Sequence, residues 1–260
     1  MFIDSHTHLD HIDREAADLV VEAAEAGVGI IIQSGTNLES SRHAVALAER
    51  YPQVFCSVGF HPQEAGLLAG DDLSALEELA VHERVVAVGE TGFDFYRDRW
   101  PHDLQEEVFV RHLELACRLG LPVVIHTRDA ERHTLAVLAE HARGLTVVLH
   151  CFSLAAHLDE VLERGYYLSF AGNVTFKNAS DLQWAARVTP AAHLLLETDA
   201  PYLTPVPYRG HPNRPALVAK TYEFVAGLRG VGVEELAMQV EANVRRAFPR
   251  IGATEEGRGR

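Results

Sequence analysis

Eight short apolar runs recur along the chain, each ending in glycine, histidine or an acid: "MFIDSHTH", "GIIIQSG", "VFCSVGFHP", "VVAVGETGFD", "PVVIHTR", "TVVLHCF", "YYLSFAG" and "HLLLETDAP". Their Val, Ile, Leu, Phe and Tyr content predicts strands. Between them lie "REAADLVVEAAEAG", "LESSRHAVALAERYP", "LSALEELAVHE", "DLQEEVFVRHLELACRLG" and "LAAHLDEVLERG", in which Leu, Val and Ala return at three- and four-residue steps. That spacing predicts amphipathic helices, and the glycines that often follow suit their C-terminal caps.

Eight strands alternating with helices predict an α/β fold of the (β/α)8 TIM barrel type in a single domain, for which about 250 residues is typical. A doubly wound open sheet is the competing layout; the strand count and the lack of GxGxxG after the first strand weigh against it. A proline-rich loop, "APYLTPVPYRGHPNRP", follows the eighth run, and then two more helical stretches, "ALVAKTYEFVAGL" and "EELAMQVEANVRRAF". The domain is expected to span residues 1–250, with 251–260, "IGATEEGRGR", as a flexible tail.

Composition narrows the functional classes. The 260 residues are 47% hydrophobic and 23% charged, as in a globular chain with a sizeable core. No apolar run is long enough to cross a bilayer, and no basic segment followed by an apolar one marks a secretory signal. Cys56, Cys117 and Cys151 have no CxxC spacing and form no even disulfide framework. The expected location is the cytoplasm. A formal net charge of -14 argues against a broad basic surface that coats nucleic acid. It leaves room for a local cationic site, which bound metal ions would supply.

Polar residues cluster where a barrel of this kind carries its chemistry, at the C-terminal ends of strands. His6 and His8 end the first run, His61 the third, Glu90 lies in the fourth, His126 in the fifth, His150 in the sixth and Asp199 in the eighth. Residues i and i+2 of a strand share a face, so the imidazoles of His6 and His8 are expected side by side. Any one of these histidines alone reads as a capping or hydrogen-bonded residue. Seven candidate ligands on one rim point to metal. Imidazole and carboxylate suit Zn²⁺, Mn²⁺, Fe²⁺ or Co²⁺, and carboxylates also admit Mg²⁺. The set exceeds one tetrahedral shell, whereas a pair of ions roughly 3.5–4 Å apart and bridged by a carboxylate would use it.

The motifs "DSHTHLD", "GFHP", "GETGFD", "VIHTR", "LHCF" and "ETDAPYL" resemble, in order and from residue 3 to about 248, those of the TatD-type metal-dependent deoxyribonucleases of the amidohydrolase superfamily. The resemblance implies a (β/α)8 barrel, one or two divalent cations (Zn, Mg or Mn) and hydrolysis of DNA phosphodiesters, commonly as a 3′-to-5′ exonuclease. It implies that His6, His8 and Asp199 ligate one ion, that Glu90 is shared between ions, and that His126 and His150 ligate the second. It places His61 on the substrate side. Other superfamily members bridge their metals with a carbamylated lysine, and Glu90 at the matching fourth-strand position favours the deoxyribonuclease branch.

The expected nucleophile is a metal-activated hydroxide, with Asp199 and Glu90 as the catalytic carboxylates and Asp199 relaying the proton. Phosphates of the DNA substrate, single-stranded or at 3′ ends, would be met by Arg128 and Arg209, with Arg97, Arg99, Lys177 and Arg214 as further candidates, no more than about half of the six making contact. Phe95, Tyr96 and Trp100 are candidates for stacking an unpaired base or for packing the loop. Glu197 either orients a ligand histidine or forms a salt bridge in the barrel mouth. Cys151 is expected to point away from the metal as a small core residue, and His11, His43, His82 and His141 to lie on the surface. Two rivals stay open: an esterase or deacylase on the same scaffold, for example on aminoacyl-tRNA, and a non-catalytic metal-dependent binding protein. No membrane and no obligate protein partner are expected.

Overall fold

A computed structural model describes residues 1–252 of the chain. Its eight strands are β1 (Phe2–Thr7), β2 (Val28–Ser34), β3 (Val54–Val58), β4 (Val85–Asp94), β5 (Val123–Arg128), β6 (Val147–Leu149), β7 (Tyr167–Phe170) and β8 (Leu194–Leu196). Each pairs in parallel with the next, in the order β1 to β8. Helices α1 (Ala16–Glu25) to α7 (Ser180–Val188) follow β1 to β7 in turn, with α2 (Leu38–Arg50), α3 (Asp72–Ala80), α4 (His102–Leu119), α5 (Glu131–His141) and α6 (Leu158–Glu163) between. The result is a nearly closed (β/α)8 barrel. Both faces of its strands are covered, which explains why the runs read as continuously apolar: all five residues of β3 and all ten of β4 are buried.

The seam between β1 and β8 is held differently from the other strand pairs. The segment just past β8 bonds to β1, with the Asp199 N–H donating to the His6 carbonyl at 3.0 Å and the His8 N–H to the Ala200 carbonyl at 2.8 Å. The Ser5 hydroxyl donates to the Leu196 carbonyl at 3.0 Å. The two helical stretches after the proline-rich loop are α8 (Val218–Arg229) and α9 (Val233–Ala247), and they cover this seam from outside. The Tyr222 hydroxyl of α8 accepts from Ile3 N–H at 3.2 Å and donates to the Ile3 carbonyl at 3.1 Å. The Asn243 amide of α9 donates to the Ala191 and Leu194 carbonyls, both at 2.7 Å.

Ile251, placed by sequence in the tail, is buried in the core. The rest of that expected tail from residue 253 lies outside the described residues. Among the described residues no helix is long and apolar enough to cross a membrane.

Candidate metal centre

The C-terminal ends of the strands bring His6, His8, Glu90, His126, His150 and Asp199 together. His6 and His126 project from β1 and β5, and Glu90 from within β4, which runs on past it to Asp94. His8, His61, His150 and Asp199 lie in the turns just beyond their strands. Glycines near Glu90 let β4 lie close against β5. A Cβ on Gly92, at φ +135, would meet the His126 carbonyl oxygen at 2.1 Å, and one on Gly89, at φ +137, the Val124 carbonyl oxygen at 2.6 Å.

Glu90 divides the donors between its two oxygens. Oε2 lies 3.3 Å from His6 Nε2 and 3.5 Å from His8 Nε2. Oε1 lies 2.9 Å from His126 Nδ1 and 2.9 Å from His150 Nε2. On the first side, Asp199 Oδ1 stands 3.5 Å from His8 Nε2 and 3.9 Å from His6 Nε2. Nitrogens also face nitrogens: His6 and His8 Nε2 are 3.2 Å apart, and His126 Nδ1 and His150 Nε2 are 3.3 Å apart.

These spacings fit a metal. Ligands about 2.0–2.2 Å from a tetrahedral ion stand roughly 3.3–3.6 Å from one another, close to the 3.2–3.9 Å separations among His6, His8, Glu90 and Asp199. Glu90 Oε2 is buried with no hydrogen-bond partner among the described residues, a costly state for a carboxylate oxygen unless a cation meets it. His6, His8, Glu90 and Asp199 could hold one ion; Glu90, His126 and His150 could hold a second and leave a position open. His6 is also close to Glu90 and His150, its ring stacked on that of His150 at 3.9 Å, so the two groups adjoin.

The electrostatics follow from that crowding. Burial alone would raise the Glu90 carboxyl, but the charge of His150 foremost and a hydrogen bond from His126 hold it well below the usual carboxylate range. Burial likewise works to lower His150, and the Glu90 and Glu197 carboxylates override it and raise the imidazole well above its ordinary value.

His61 stands apart from the donors chemically. Its Nδ1 accepts the Gln63 N–H at 3.0 Å. A neutral ring must then carry its proton on Nε2, which lies 3.4 Å from Glu90 Oε1. Burial lowers its pKa to about 3, so the ring stays neutral. His61 is therefore a donor facing the site, although its position also groups it with Glu90 and His126.

Carboxylates stand behind two of the imidazoles. Glu197, fully buried, faces His150 Nδ1 at 3.2 Å and accepts the Cys151 N–H at 2.7 Å. Asp94 Oδ2 lies 3.5 Å from His126 Nε2 and accepts from the Gln63 amide at 2.9 Å. Sequence reasoning passed over Asp94, though residues 90, 92 and 94 share a strand face and that period could have found it. It also passed over Asp4, whose carboxylate accepts the Thr198 N–H at 2.8 Å and the Thr198 hydroxyl at 2.6 Å. Burial pushes the Asp4 carboxyl up to about 8 against those bonds. They anchor Thr198 beside Asp199, which sits in the left-handed region at φ 53.

The rim sorts the remaining candidates. Arg99 pairs with Glu64 at 2.9 Å and Arg214 with Glu22, so both are committed to the protein's own acids. Arg97, Arg128, Lys177 and Arg209 form no ion pair among the described residues. Arg128 lies over the Tyr96 ring at 3.8 Å and Arg209 over Phe176 at 3.9 Å, which presents each guanidinium without an acid partner. Two of the three loop aromatics pack the loop. Phe95 stacks on His102 at 3.6 Å, and the Trp100 indole donates to the Gln63 carbonyl at 2.9 Å. Tyr96 is the one left largely exposed. Cys151 departs from its expected place in the core: it is partly exposed and adopts φ 43 in the turn after β6. His11, expected merely on the surface, is exposed but stacks on His8 at 4.9 Å.

The TatD related DNase family profile matches residues 3–249. The chain belongs to this TatD family. It is 41% identical to an uncharacterized metal-dependent hydrolase, TatD, of Mycobacterium tuberculosis, covering 95% of this chain and 97% of that protein. It is 35% identical, over 89% of this chain and 90% of its relative, to a protein of Citrobacter rodentium named 3′-5′ ssDNA/RNA exonuclease TatD. Among solved structures, the TatD homologue YJJV of Escherichia coli K12 superposes with a TM-score of 0.89 at 31% identity, covering 95% of this chain and 98% of that one. TatD relatives are named metal-dependent hydrolases, and this chain is a metal-dependent hydrolase of that family.

Proposed function

We propose that the site hydrolyses phosphodiester bonds in DNA, as a 3′-to-5′ exodeoxyribonuclease acting on single strands or 3′ ends. The observation that carries this reading is the division of Glu90: one oxygen faces His6 and His8, the other His126 and His150. Zinc, manganese or magnesium ions held by these two groups would stabilise charge on the phosphate and lower the pKa of a water, zinc to about 7. The chain's own residues do the rest. Asp199 takes a proton from the attacking water on its carboxylate and returns it to the 3′ oxygen of the penultimate nucleotide as the P–O3′ bond breaks, while His61 donates from Nε2 to a phosphate oxygen. Glu197 and Asp94 fix the rings of His150 and His126. Arg128 and Arg209 hold the flanking phosphates, a use that fits guanidinium groups and has no counterpart in a neutral ester substrate. The name of the Citrobacter relative, a 3′-5′ ssDNA/RNA exonuclease, supports the 3′-to-5′ polarity and the single-stranded preference.

The test is a panel of end-labelled DNA, RNA, aminoacyl-tRNA, a phosphotriester and a small ester, run with pure protein of known metal content. Mononucleotides released from the 3′ end of single-stranded DNA are expected. Turnover of an ester with none of any nucleic acid would establish the deacylase rival instead, and no turnover of anything by fully loaded protein the binding rival.

A further inference from the structure

The aromatic residues at the mouth of the site are not equivalent. Tyr96 and Phe176 each carry a guanidinium over the ring, Phe95 carries an imidazole, and Trp100 is folded into its loop. Tyr202, in the turn after Asp199, is 52% exposed, and no ring or cation lies parallel over it among the described residues. Its backbone is nevertheless fixed. The Tyr202 N–H donates to the Asp199 carbonyl at 2.9 Å, and the buried Asn213 amide donates to the Tyr202 carbonyl at 2.6 Å and the Thr198 carbonyl at 2.9 Å.

The ring on this fixed backbone stands beside the donor set. Its centroid is 6.4 Å from those of both His8 and His11. Its hydroxyl meets His11 Nδ1 at 3.5 Å, and His11 stacks in turn on His8. His11 is held by its own turn, its N–H donating to the His8 carbonyl at 3.0 Å. An exposed aromatic normally has no reason to be anchored so firmly; a stacking platform does.

We propose that Tyr202, steadied by His11, is the subsite for the base of the 3′-terminal nucleotide whose phosphate is attacked. The proposal rests on the phosphodiester reading. A phosphate at the donor set has its base one sugar away, and Tyr202 stands one ring from His8. On the other side of the cluster the exposed Tyr96 is already covered by Arg128, a partner for phosphate rather than for a base. The platform would recognise any base, because every base has a π-face.

The experiment compares Tyr202→Ala, Tyr202→Trp and a distant control, Trp184→Ala, which removes an equally exposed aromatic (51%) on α7. On single-stranded DNA, Tyr202→Ala should lose about 5- to 150-fold in kcat/KM, mainly through KM, the range that one base–aromatic stack supplies. Tyr202→Trp should retain most of it and Trp184→Ala all of it. A substrate whose 3′-terminal nucleotide lacks its base should cost wild type the same factor and cost Tyr202→Ala nothing further. Stopped-flow quenching of a 3′-terminal 2-aminopurine, read before product forms, should be strong in wild type and Tyr202→Trp and weak in Tyr202→Ala. If wild type cleaves DNA and Tyr202→Ala matches it in KM and quenching, the proposal fails alone. If wild type cleaves no nucleic acid, the phosphodiester reading fails and the subsite with it.

Discussion

Two kinds of buried histidine occur in this barrel. His112, on α4, is fully buried, and both of its nitrogens meet backbone: Nδ1–H donates to the Val108 carbonyl at 2.7 Å, and Nε2 accepts the Phe60 N–H at 2.9 Å. His6, His8 and His150 of the rim are also buried and His126 partly so, yet their nitrogens face one another at 3.2–3.3 Å, about the edge length of a metal's coordination shell, and converge on Glu90. The difference teaches how to read burial. His112 is satisfied without a ligand and stiffens the turn that carries His61, whereas the rim histidines converge on points that a shared cation would satisfy. The first kind should matter for stability and the second for activity.

The contrast can be broken most sharply by chelation. Removal of divalent ions should abolish hydrolysis, and added zinc or manganese should restore it, while far-ultraviolet circular dichroism shows the barrel intact in both states. If the chelated protein unfolds, the rim histidines share the structural role of His112. The next largest effect is expected for Asp199→Asn, which keeps an oxygen for a cation but accepts protons poorly. Its kcat should fall by roughly 10²–10⁴ at unchanged metal content. A variant that retains its ions and its rate would remove Asp199 from the chemistry.

Glu197→Gln sharpens the comparison by leaving the donors in place and loosening the ring of His150. A loss of about 10- to 100-fold in metal affinity is expected from a titration read by competition with a chelating dye. Unchanged affinity would make Glu197 a tie to Cys151 alone. The smallest effect on turnover belongs to His112→Gln, which should stay within a few-fold of wild type while losing about 1–3 kcal/mol of stability in urea unfolding. Burial lowers the His112 pKa from its ordinary 6.5 to about 4. Between those values the unfolded chain binds the proton and the folded one does not, so stability is full above the unfolded value and falls as pH drops towards 4. The variant should show a shallower loss in that window, and an identical pH profile would contradict the assignment.

Much of the site is local enough to be read from sequence. Each donor closes or lies in an apolar run, so His6, His8, Glu90, His126, His150 and Asp199 were identifiable as a set, and eight runs with helical spacers sufficed for the barrel. What escaped reading depends on contacts between distant segments. The Asp4–Thr198 tie joins residues 194 apart, and the Tyr202–His11 contact spans the same seam. The fate of individual side chains escaped as well. Arg99 and Arg214 look like Arg128 and Arg209 in sequence, and only the placement of Glu64 and Glu22 separates them. Phe95 and Trp100 were equal to Tyr96 as candidates until His102 and Gln63 met them.

The most direct test of the account is the metal stoichiometry of Glu90→Gln. Wild-type protein reconstituted with zinc and measured by mass spectrometry of the elements should hold two ions per chain. With the shared carboxylate replaced by an amide, which bridges two cations poorly, both should be lost together and hydrolysis with them. Retention of two ions per chain at wild-type turnover, in a variant with wild-type circular dichroism, would contradict the claim that Glu90 joins the two groups of donors.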